Sequence, residues 1–272
     1  MSSIFPSESP QWGWAVVCLS CGDKLDACID FYKKLGFRQH GGEPDKGWCM
    51  LRSGVNELHL FDFPKREHEM LNFRGGDIAG VRAAVDALGA PVFKEFGPTS
   101  FIVLDPDGRQ VFFDYSDAEA AELETGQMLT VPLPEGEGVH DTDMDLGNFS
   151  WCLACDDLAT TSAFYCALAF VPAGGQPQRG WQILGRPDHV VEYGERADAM
   201  HVSLFQGIIP TDMLNFRGGN VAAIATVIEG RGVALGDGVQ VSEDGGESLM
   251  VLDPCGRPVL FDTTPPERLY SA

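Results

Sequence analysis

The hexapeptide Leu-Asn-Phe-Arg-Gly-Gly occurs twice in this chain, at residues 71–76 and 214–219. A repeat of this length indicates that the chain contains two copies of one unit. Other segments recur around it in the same order, namely VCLSC and WCLAC, DFYKKLGF and AFYCALAF, GWCML and GWQIL, and VLDPDGRQVFFD and VLDPCGRPVLFD. The spacing between matching segments varies along the chain. Insertions have therefore accumulated in loops, while the helices and strands kept their order.

The length of 272 residues allows two domains, each with its own core. Nine acidic residues and no Lys or Arg fall between positions 117 and 145, a composition typical of a solvated linker. We therefore predict domains at residues 1–117 and 147–272, connected by an acidic linker at 118–146.

The formal net charge of −21 argues against binding to nucleic acid or to an anionic membrane, because both would repel the chain. No apolar run approaches the roughly 20 residues that cross a bilayer, and the first residues lack the pattern of a secretion signal. We expect a cytoplasmic protein whose partner is a small molecule. A homodimer is left open.

The eight cysteines are expected to be reduced thiols in that compartment. Cys18 and Cys21 form a C-x-x-C pair, as do Cys152 and Cys155, and this spacing is also found in zinc sites. Both pairs lie in apolar, strand-like runs, where residues three apart face opposite sides of a sheet. We therefore predict buried apolar side chains at these pairs, and no metal or redox site.

Hydrophobic periodicity predicts the same order of elements in each quarter of the chain. The first unit has a strand at residues 14–21, a helix at 24–35 and three short strands. The hexapeptide opens a second unit, in which Asp77 caps a helix and a turn at 105–108 connects the last two strands. The buried face of that helix is predicted to carry Ile78, Val81, Val85 and Leu88. The second half repeats both units, which gives four βαβββ modules.

Two short motifs fall within this order of modules. F-Y-x-x-L-G-F occupies residues 31–37, and Asp-Pro-Asp-Gly occupies 105–108. Their counterparts are residues 164–170, where Ala169 replaces the glycine, and residues 253–256. In these features the chain resembles the vicinal oxygen chelate superfamily, which includes glyoxalase I, the bleomycin resistance proteins and the extradiol dioxygenases. The resemblance implies an α+β fold of two vicinal oxygen chelate domains, each a pair of βαβββ modules that form an open cup.

Members of that superfamily hold a divalent metal ion in the cup on four side chains. Aligned on the shared motifs, the first half has Val16, Glu57 or His59, Met70 and Phe112 at these positions. The second half has Ser150, His201 or Ser203, Met213 and Leu260. A catalytic metal site needs about three protein ligands, and each set offers one. We therefore predict that neither cup uses a metal and that no cofactor is bound.

The acidic side chains on the closing strands have two interpretations. Asp114 could be an acid/base partner of Glu57 or His59, and Asp262 could be the partner of His201. Alternatively, each aspartate pairs with a nearby backbone group or arginine.

The arginines of the hexapeptide and two tryptophans also have two interpretations each. Arg74 and Arg217 either hold an anionic group of a ligand or cover the strand at a structural bend. Trp48 and Trp181 either form a pocket wall or pack in the core. The candidate ligand-binding residues are Trp48, Glu57, His59, Arg74, Phe112 and Asp114 in the first half and Trp181, His201, Arg217, Leu260 and Asp262 in the second.

The leading hypothesis is a protein similar to glyoxalase and the bleomycin resistance proteins, which binds a small organic molecule without a catalytic metal. One alternative is a metal-dependent lyase, isomerase or dioxygenase of the same superfamily. Another is a duplicated scaffold for association, with the acidic linker as the contact surface. Whether the protein is an enzyme stays open at this point.

Overall fold

The computed structural model describes residues 10, 12–62, 68–115, 144–193 and 196–264, with the backbone alone at 188–199. Most of the predicted acidic linker, residues 116–143, lies outside this description, so the predicted domain boundaries stay a prediction. Within the described residues, no helix combines the length and the apolar character needed to span a bilayer.

The first half contains the predicted order of elements, βαβββ followed by βαβββ. The first module comprises β1 (Trp14–Ser20), α1 (Leu25–Lys34), β2 (Arg38–Glu43), β3 (Trp48–Ser53) and β4 (Asn56–Phe61). The second comprises β5 (Met70–Arg74), α2 (Ile78–Ala87), β6 (Val92–Glu95), β7 (Ser100–Leu104) and β8 (Gln110–Asp114).

The second half repeats this order. Its first module comprises β9 (Gly147–Cys155), α3 (Leu158–Ala167), β10 (Val171–Gln176), β11 (Trp181–Tyr193) and β12 (Arg196–Gln206). Its second comprises β13 (Met213–Gly218), α4 (Val221–Gly230), β14 (Gln240–Val241), β15 (Glu247–Leu252) and β16 (Pro258–Thr263). Both hexapeptides lie in the first strand of a second module.

Each half forms one eight-stranded mixed sheet. The strand order is β2-β3-β4-β1-β5-β8-β7-β6 in the first sheet and β10-β11-β12-β9-β13-β16-β15-β14 in the second. The two modules of a sheet meet where β1 runs antiparallel to β5, and where β9 runs antiparallel to β13. This duplicated architecture confirms the predicted fold class.

Side-chain caps start three of the four described α-helices. The Asp77 carboxylate accepts the Gly80 N–H at 3.2 Å at the start of α2, as predicted. Asp157 and Asn220 cap α3 and α4 in the same way, which satisfies an amide that the helix itself leaves free. The prediction for Leu88 was wrong, because α2 ends at Ala87 and leaves Leu88 43% exposed.

The side chains of β1 alternate between the two faces of the first sheet. Val17 and Leu19 lie in the main core, whereas Val16 and Cys18 belong to a separate cluster on the opposite face. Cys21, just beyond the strand, lies in the main core again. The two cysteines of this C-x-x-C pair therefore face opposite sides, as predicted, and all eight cysteines are free thiols.

The main core continues from one half of the chain into the other. Phe37 packs edge-on against Phe216 with 5.8 Å between the ring centroids, and Phe73 packs against Phe170 at 6.4 Å. Phe37 is equivalent to Phe170 in the repeat, and Phe73 is equivalent to Phe216. Each contact thus occurs twice with the roles of the halves exchanged, so the halves are related by an approximate two-fold axis.

Buried hydrogen bonds follow the same relationship. The Tyr32 hydroxyl donates to Asp253 Oδ2 at 3.2 Å, and the Tyr165 hydroxyl donates to Asp105 Oδ2 at 3.0 Å. Both carboxylate side chains are fully buried. Each half therefore inserts a tyrosine from its first helix against the Asp-Pro turn of the other half.

An arginine balances the charge of each buried aspartate. Arg109 Nη1 lies 3.1 Å from Asp105 Oδ2, and its Nε lies 2.6 Å from Asp212 Oδ2 in the other half. Arg257 Nε makes the equivalent contact with Asp253 Oδ2 at 2.6 Å. A buried carboxylate is costly unless it is paired and hydrogen-bonded, and both conditions are met here.

Ala169, which replaces the glycine of the family motif, ends α3 in a left-handed conformation with φ 68°. Gly36 has the equivalent position after α1, with φ 89°. At both helix ends the next N–H donates back to a tyrosine carbonyl, Phe37 to Tyr32 and Phe170 to Tyr165. This helix stop requires a positive φ, which costs an alanine roughly 1 kcal/mol or more.

We expect Ala169→Gly to raise the free energy of unfolding by about 1 kcal/mol, because glycine adopts this conformation without the Cβ clash. Urea denaturation would measure the change as a higher midpoint at constant slope. The matched control is Gly36→Ala, which should lower stability by a similar amount. A midpoint that stays the same or falls in Ala169→Gly would contradict this explanation.

Candidate functional site

The face of each sheet opposite the main core is the candidate site. We call it the first cup in the sheet formed by β1–β8 and the second cup in the sheet formed by β9–β16. Strand pairing places one residue from each of four neighbouring strands in a row across the middle of each cup. The rows are Glu57, Val16, Asn72 and Phe112 in the first cup and His201, Ser150, Asn215 and Leu260 in the second.

Strand pairing gives Val16 and Ser150 neighbours that differ from the residues of the predicted alignment. Asn72, not Met70, lies beside Val16, and Asn215, not Met213, lies beside Ser150. Met70 and Asn72 are two residues apart, as are Met213 and Asn215, so both members of each pair lie on the same side of the strand because side chains alternate with a period of two. Motifs on other strands therefore identify the correct face of β5 and β13 but not the register.

These rows do not fit the metal site that the resemblance implies. The first row offers the Glu57 carboxylate with Val16, Phe112 and a neutral amide. The second row offers the His201 imidazole with Leu260, a hydroxyl and an amide. Divalent metals in catalytic sites take about three ligands from His, Cys, Asp or Glu, so we derive no chemistry through a metal in these rows.

The first cup is packed by its own apolar side chains. The buried cluster comprises Trp14, Val16, Cys18, Val55, Phe61, Met70, Ile102 and Phe112, with Trp48 packed against it. Phe112 also meets Phe96 edge-on at 5.7 Å between ring centroids. The side chains that could form a pocket wall in this half therefore fill the space themselves.

A polar cluster, formed by His40, Glu57 and His59, lies at the β2–β4 side of the first cup. His59 Nε2 is 2.8 Å from Glu57 Oε1, and His40 Nε2 is 3.4 Å from the same oxygen. Burial by itself would raise the pKa of the Glu57 carboxyl, but the hydrogen bond with His59 and the two nearby imidazoles hold that pKa well below its usual range. Glu57 is therefore a fixed anion.

The same three residues are a possible set of metal ligands outside the superfamily's row. One ligand atom from each lies within 4.8 Å of the others. Glu57 Oε2 and His40 Nε2 are buried and make no hydrogen bond within the part of the chain that the structure describes. Arg52 opposes this use, because it lies directly across from Glu57 in the strand register and brings a positive charge.

His40 was missed by the sequence analysis. It lies on β2 where the pairing with β3 shifts register between Gln39 and Gly41, and such a bulge redirects a side chain. The glycines at 41 and 42 are the one signal in the sequence, since isolated glycines in a strand often mark a bulge.

The second cup carries a network of polar side chains. The hydroxyls of Ser150 and Ser203 are 2.7 Å apart. Asn215 Nδ2 donates to Asp262 Oδ1 at 2.6 Å, and Arg217 Nη1 lies 3.7 Å from Asp262 Oδ2. Hydroxyl and amide groups that face a cup can exchange these bonds for bonds to a ligand.

The predicted acid/base pairs are not brought together. Asp262 pairs with Asn215 and Arg217, and strands β9 and β13 lie between it and His201. Likewise β1 and β5 lie between Asp114 and Glu57, whose carboxylate contacts His59 and His40. The alternative interpretation, an aspartate that pairs with an arginine, is confirmed for Asp262.

Equivalent positions show that the second cup is more open than the first. Trp14 is 7% exposed, whereas its counterpart Asn148 is exposed. Ile102 is 2% exposed, whereas Met250 is 46% exposed. Phe112 is 2% exposed, and its counterpart Leu260 is only half-buried.

Trp181 is half-buried at the position equivalent to Trp48. Arg217 exposes 40% of its side chain. The counterparts Trp48 and Arg74 are half-buried as well, so these two positions do not distinguish the cups. Burial lowers the pKa of His201, so this imidazole is neutral near pH 7 and can both donate and accept a hydrogen bond.

Comparisons with solved structures find this fold. No family model and no curated protein matches the chain. The Mn(II)-bound glyoxalase from Novosphingobium aromaticivorans is 15% identical with a TM-score of 0.55, over 94% of this chain and 82% of that chain. A mutant of homoprotocatechuate 2,3-dioxygenase from Brevibacterium fuscum is 15% identical with a TM-score of 0.54, over 95% and 74%. The 2,2',3-trihydroxybiphenyl 1,2-dioxygenase from Sphingomonas wittichii strain RW1 is 16% identical with a TM-score of 0.50, over 94% and 90%.

The pKa of His201 predicts a pH dependence. A histidine whose pKa is lowered on folding contributes stability above its unfolded pKa of about 6.5, and this contribution is lost as the pH falls through the folded value. We therefore expect His201→Gln to lose less stability than the wild type between about pH 7 and pH 5. Urea midpoints across this range would measure the difference. His68→Gln, at an exposed position, is the control and should keep the wild-type slope. Parallel curves for His201→Gln and the wild type would contradict the assignment.

Proposed function

Because the chain has the vicinal oxygen chelate fold, we propose that its second cup binds a small organic molecule without a metal ion in the superfamily's row. The observation that carries this proposal is the difference between the two cups at equivalent positions. Both sheets have the same topology, yet the first cup is filled by its own side chains and the second has accessible surface around a polar network.

The second cup offers hydrogen-bonding groups beside apolar surface. Ser150, Asn215 and neutral His201 lie in one row and supply both donors and acceptors. Leu260 continues the row, and Met250 pairs with it on the next strand. Pockets with this composition orient a ligand by a few polar groups and bury its apolar part. The expected ligand is a small molecule with hydroxyl or carbonyl oxygens on an apolar framework.

Names of similar structures suggest the first compounds to test. Two of them are dioxygenases named for homoprotocatechuate and trihydroxybiphenyl, which are hydroxylated aromatic compounds. Such molecules fit the expected ligand chemistry, whereas the chain lacks the ligand row for a metal-dependent reaction on them. We therefore propose that the second cup binds a hydroxylated or carbonyl compound. The residues of this cup support binding and do not require chemical conversion of the ligand.

A second candidate function is metal-dependent chemistry at the His40–Glu57–His59 cluster. The observation that favours it is the pair of buried atoms, Glu57 Oε2 and His40 Nε2, that lack a hydrogen bond among the described residues. A divalent ion held there would act as a Lewis acid toward substrate oxygens. It ranks second because Arg52 faces Glu57 and because the neighbouring first cup is packed.

The third hypothesis, association through the acidic segment, stays a prediction. That segment, residues 118–146, falls mainly outside the described residues.

Closing the second cup should abolish ligand binding. Ser150→Val together with Leu260→Phe installs the residues that fill the first cup at Val16 and Phe112. We expect catechol or homoprotocatechuate, tested with EDTA present, to raise the melting temperature of the wild type, because a ligand that binds the folded state stabilises it by about 2.7 kcal/mol at 100 times its Kd. The double variant should lose at least half of this shift.

The reverse substitution is the matched control. Val16→Ser changes the equivalent residue of the first cup and should leave the ligand-induced shift intact. If no compound in a panel of hydroxylated aromatics and hydroxy acids raises the melting temperature with EDTA present, metal-free binding is wrong. A shift that survives in the double variant would place the ligand elsewhere.

Metal content separates the two candidate functions. On the leading proposal, we expect well under one equivalent of manganese or iron to stay with the protein after loading and dialysis. Each row offers one glutamate or histidine ligand, which is too few to offset the dehydration of a hard ion. Retained metal that is lost in Glu57→Gln, but kept in the exposed control Glu43→Gln, would instead establish the His40–Glu57–His59 site. Elemental analysis gives the result without any assay of activity.

A further inference from the structure

Three thiols meet where the two halves join, two of them close together in sequence and the third 227 residues beyond Cys28. Cys21 follows β1, Cys28 lies in α1, and Cys255 lies in the Asp-Pro turn between β15 and β16. We propose that this thiol cluster, Cys21, Cys28 and Cys255, binds a thiophilic metal ion, with Zn²⁺ as the expected ion. This site is separate from both cups and does not depend on the ligand proposed for the second cup.

The distances suit a metal thiolate centre. Cys28 Sγ and Cys255 Sγ are 3.6 Å apart, and all three sulfur atoms lie within 4.8 Å of one another. Zinc binds thiolate sulfur at about 2.3 Å in a tetrahedron, so the sulfurs of one site are roughly 3.8 Å apart. The three sulfurs therefore already approximate one face of such a tetrahedron and need only small rotations around a central ion.

Arg257 is placed to support three thiolates. Its Nη2 lies 3.7 Å from Cys21 Sγ and 3.9 Å from Cys28 Sγ. Its other nitrogens bind Asp253 at 2.6 Å and Glu69 at 2.7 Å, so the group is held in position. Three thiolates with one divalent ion carry a net charge of −1, and N–H donors to ligand sulfur stabilise such centres. The guanidinium supplies such a donor, while its charge is already paired with Asp253 and Glu69.

The equivalent locus in the repeat has a different set of residues. Thr161 stands in place of Cys28 and Asp107 in place of Cys255, while Cys155 and Arg109 match Cys21 and Arg257. There the Thr161 hydroxyl donates to Asp107 at 2.7 Å, and Arg109 pairs with Asp107 at 3.1 Å. A hydrogen bond and an ion pair thus satisfy the same position in the fold. Packing therefore does not require three thiols at one locus.

Exposure leaves room for a fourth ligand. Cys21 and Cys28 are buried, at 3% and 0% exposure, whereas Cys255 is half-buried on the surface turn. Two of the cysteines are thus shielded, and the third is partly exposed. A tetrahedral ion here would take its fourth ligand from water or from an external thiol, and it can enter from the side of Cys255.

The test uses the full chain, purified under reducing conditions and loaded with Zn²⁺ or Co²⁺. We expect close to one equivalent of zinc to remain after dialysis, and the cobalt form should show a near-ultraviolet sulfur-to-cobalt charge-transfer band. The double variant Cys28→Thr with Cys255→Asp introduces the residues of the equivalent locus. It should fold, as judged by circular dichroism, and lose both the zinc and the band. Cys166→Ser and Glu57→Gln should retain both.

Several outcomes would overturn the proposal. One is a wild-type protein that binds no zinc at micromolar concentration and gives no thiolate band with cobalt. Another is a spontaneous Cys28–Cys255 disulfide in metal-free protein that zinc does not prevent, seen as a mass lower by two hydrogens, because the pair would then be a redox couple. If the double variant fails to fold, Cys255→Ser replaces it, and zinc retained in Cys255→Ser at wild-type affinity would equally exclude the three-thiol site.

Discussion

The buried contact between a tyrosine of one half and an aspartate of the other is the constraint on which this structure depends. Asp105 and Asp253 each accept backbone N–H groups of their own turn, which fixes the hairpin that leads into β8 or β16. Their second oxygen accepts the tyrosine hydroxyl from α3 or α1 of the other half. Because the closing strands carry Phe112 and Leu260, one interaction couples the contact between the halves to the shape of the cups. Loss of these partners would leave a buried carboxylate unpaired, which is strongly destabilising. The hydrogen bonds to Asp105 and Asp253 therefore stabilise the Asp-Pro turns in addition to their backbone geometry.

Both halves have kept these tyrosine–aspartate contacts. The two cups, which do not take part in the contacts, differ from each other. The first cup has become a packed apolar cluster with a single polar corner at Glu57, whereas the second retains hydroxyl, amide and imidazole groups on accessible surface. The strand orders match, so the difference between the cups lies in their side chains and in the lengths of strands such as β11 and β12. Side chains in the main core cannot vary as freely, because Phe73 and Phe216 each pack against the opposite half.

The sequence predicted the fold well because its signals are local. Periodicity, the cap at Asp77 and the Asp-Pro turns each act within a few residues, and the repeat doubled every signal. The site was predicted less well because register and long-range contacts are not local. The neighbour of Val16 in the sheet is Asn72 and not the Met70 of the predicted alignment, since alternation fixes the face of a strand and not its register. The approach of Cys28 to Cys255, 227 residues apart in sequence, depends on how the halves dock, so the C-x-x-C spacing of Cys18 and Cys21 did not indicate the thiol cluster.

The approximate two-fold relation between the halves has a consequence for how this protein can change. Contacts that occur twice with exchanged roles are those of an isologous dimer, here contained in one covalent chain. In a true homodimer a substitution alters both copies at once, so a residue must suit two equivalent environments. In this chain Cys255 differs from its equivalent residue Asp107, and Ser150 differs from its equivalent residue Val16. Because the halves are covalently connected, equivalent positions can carry different residues while the shared interface is kept. Differences between equivalent positions are therefore the most direct guide to function in chains of this kind.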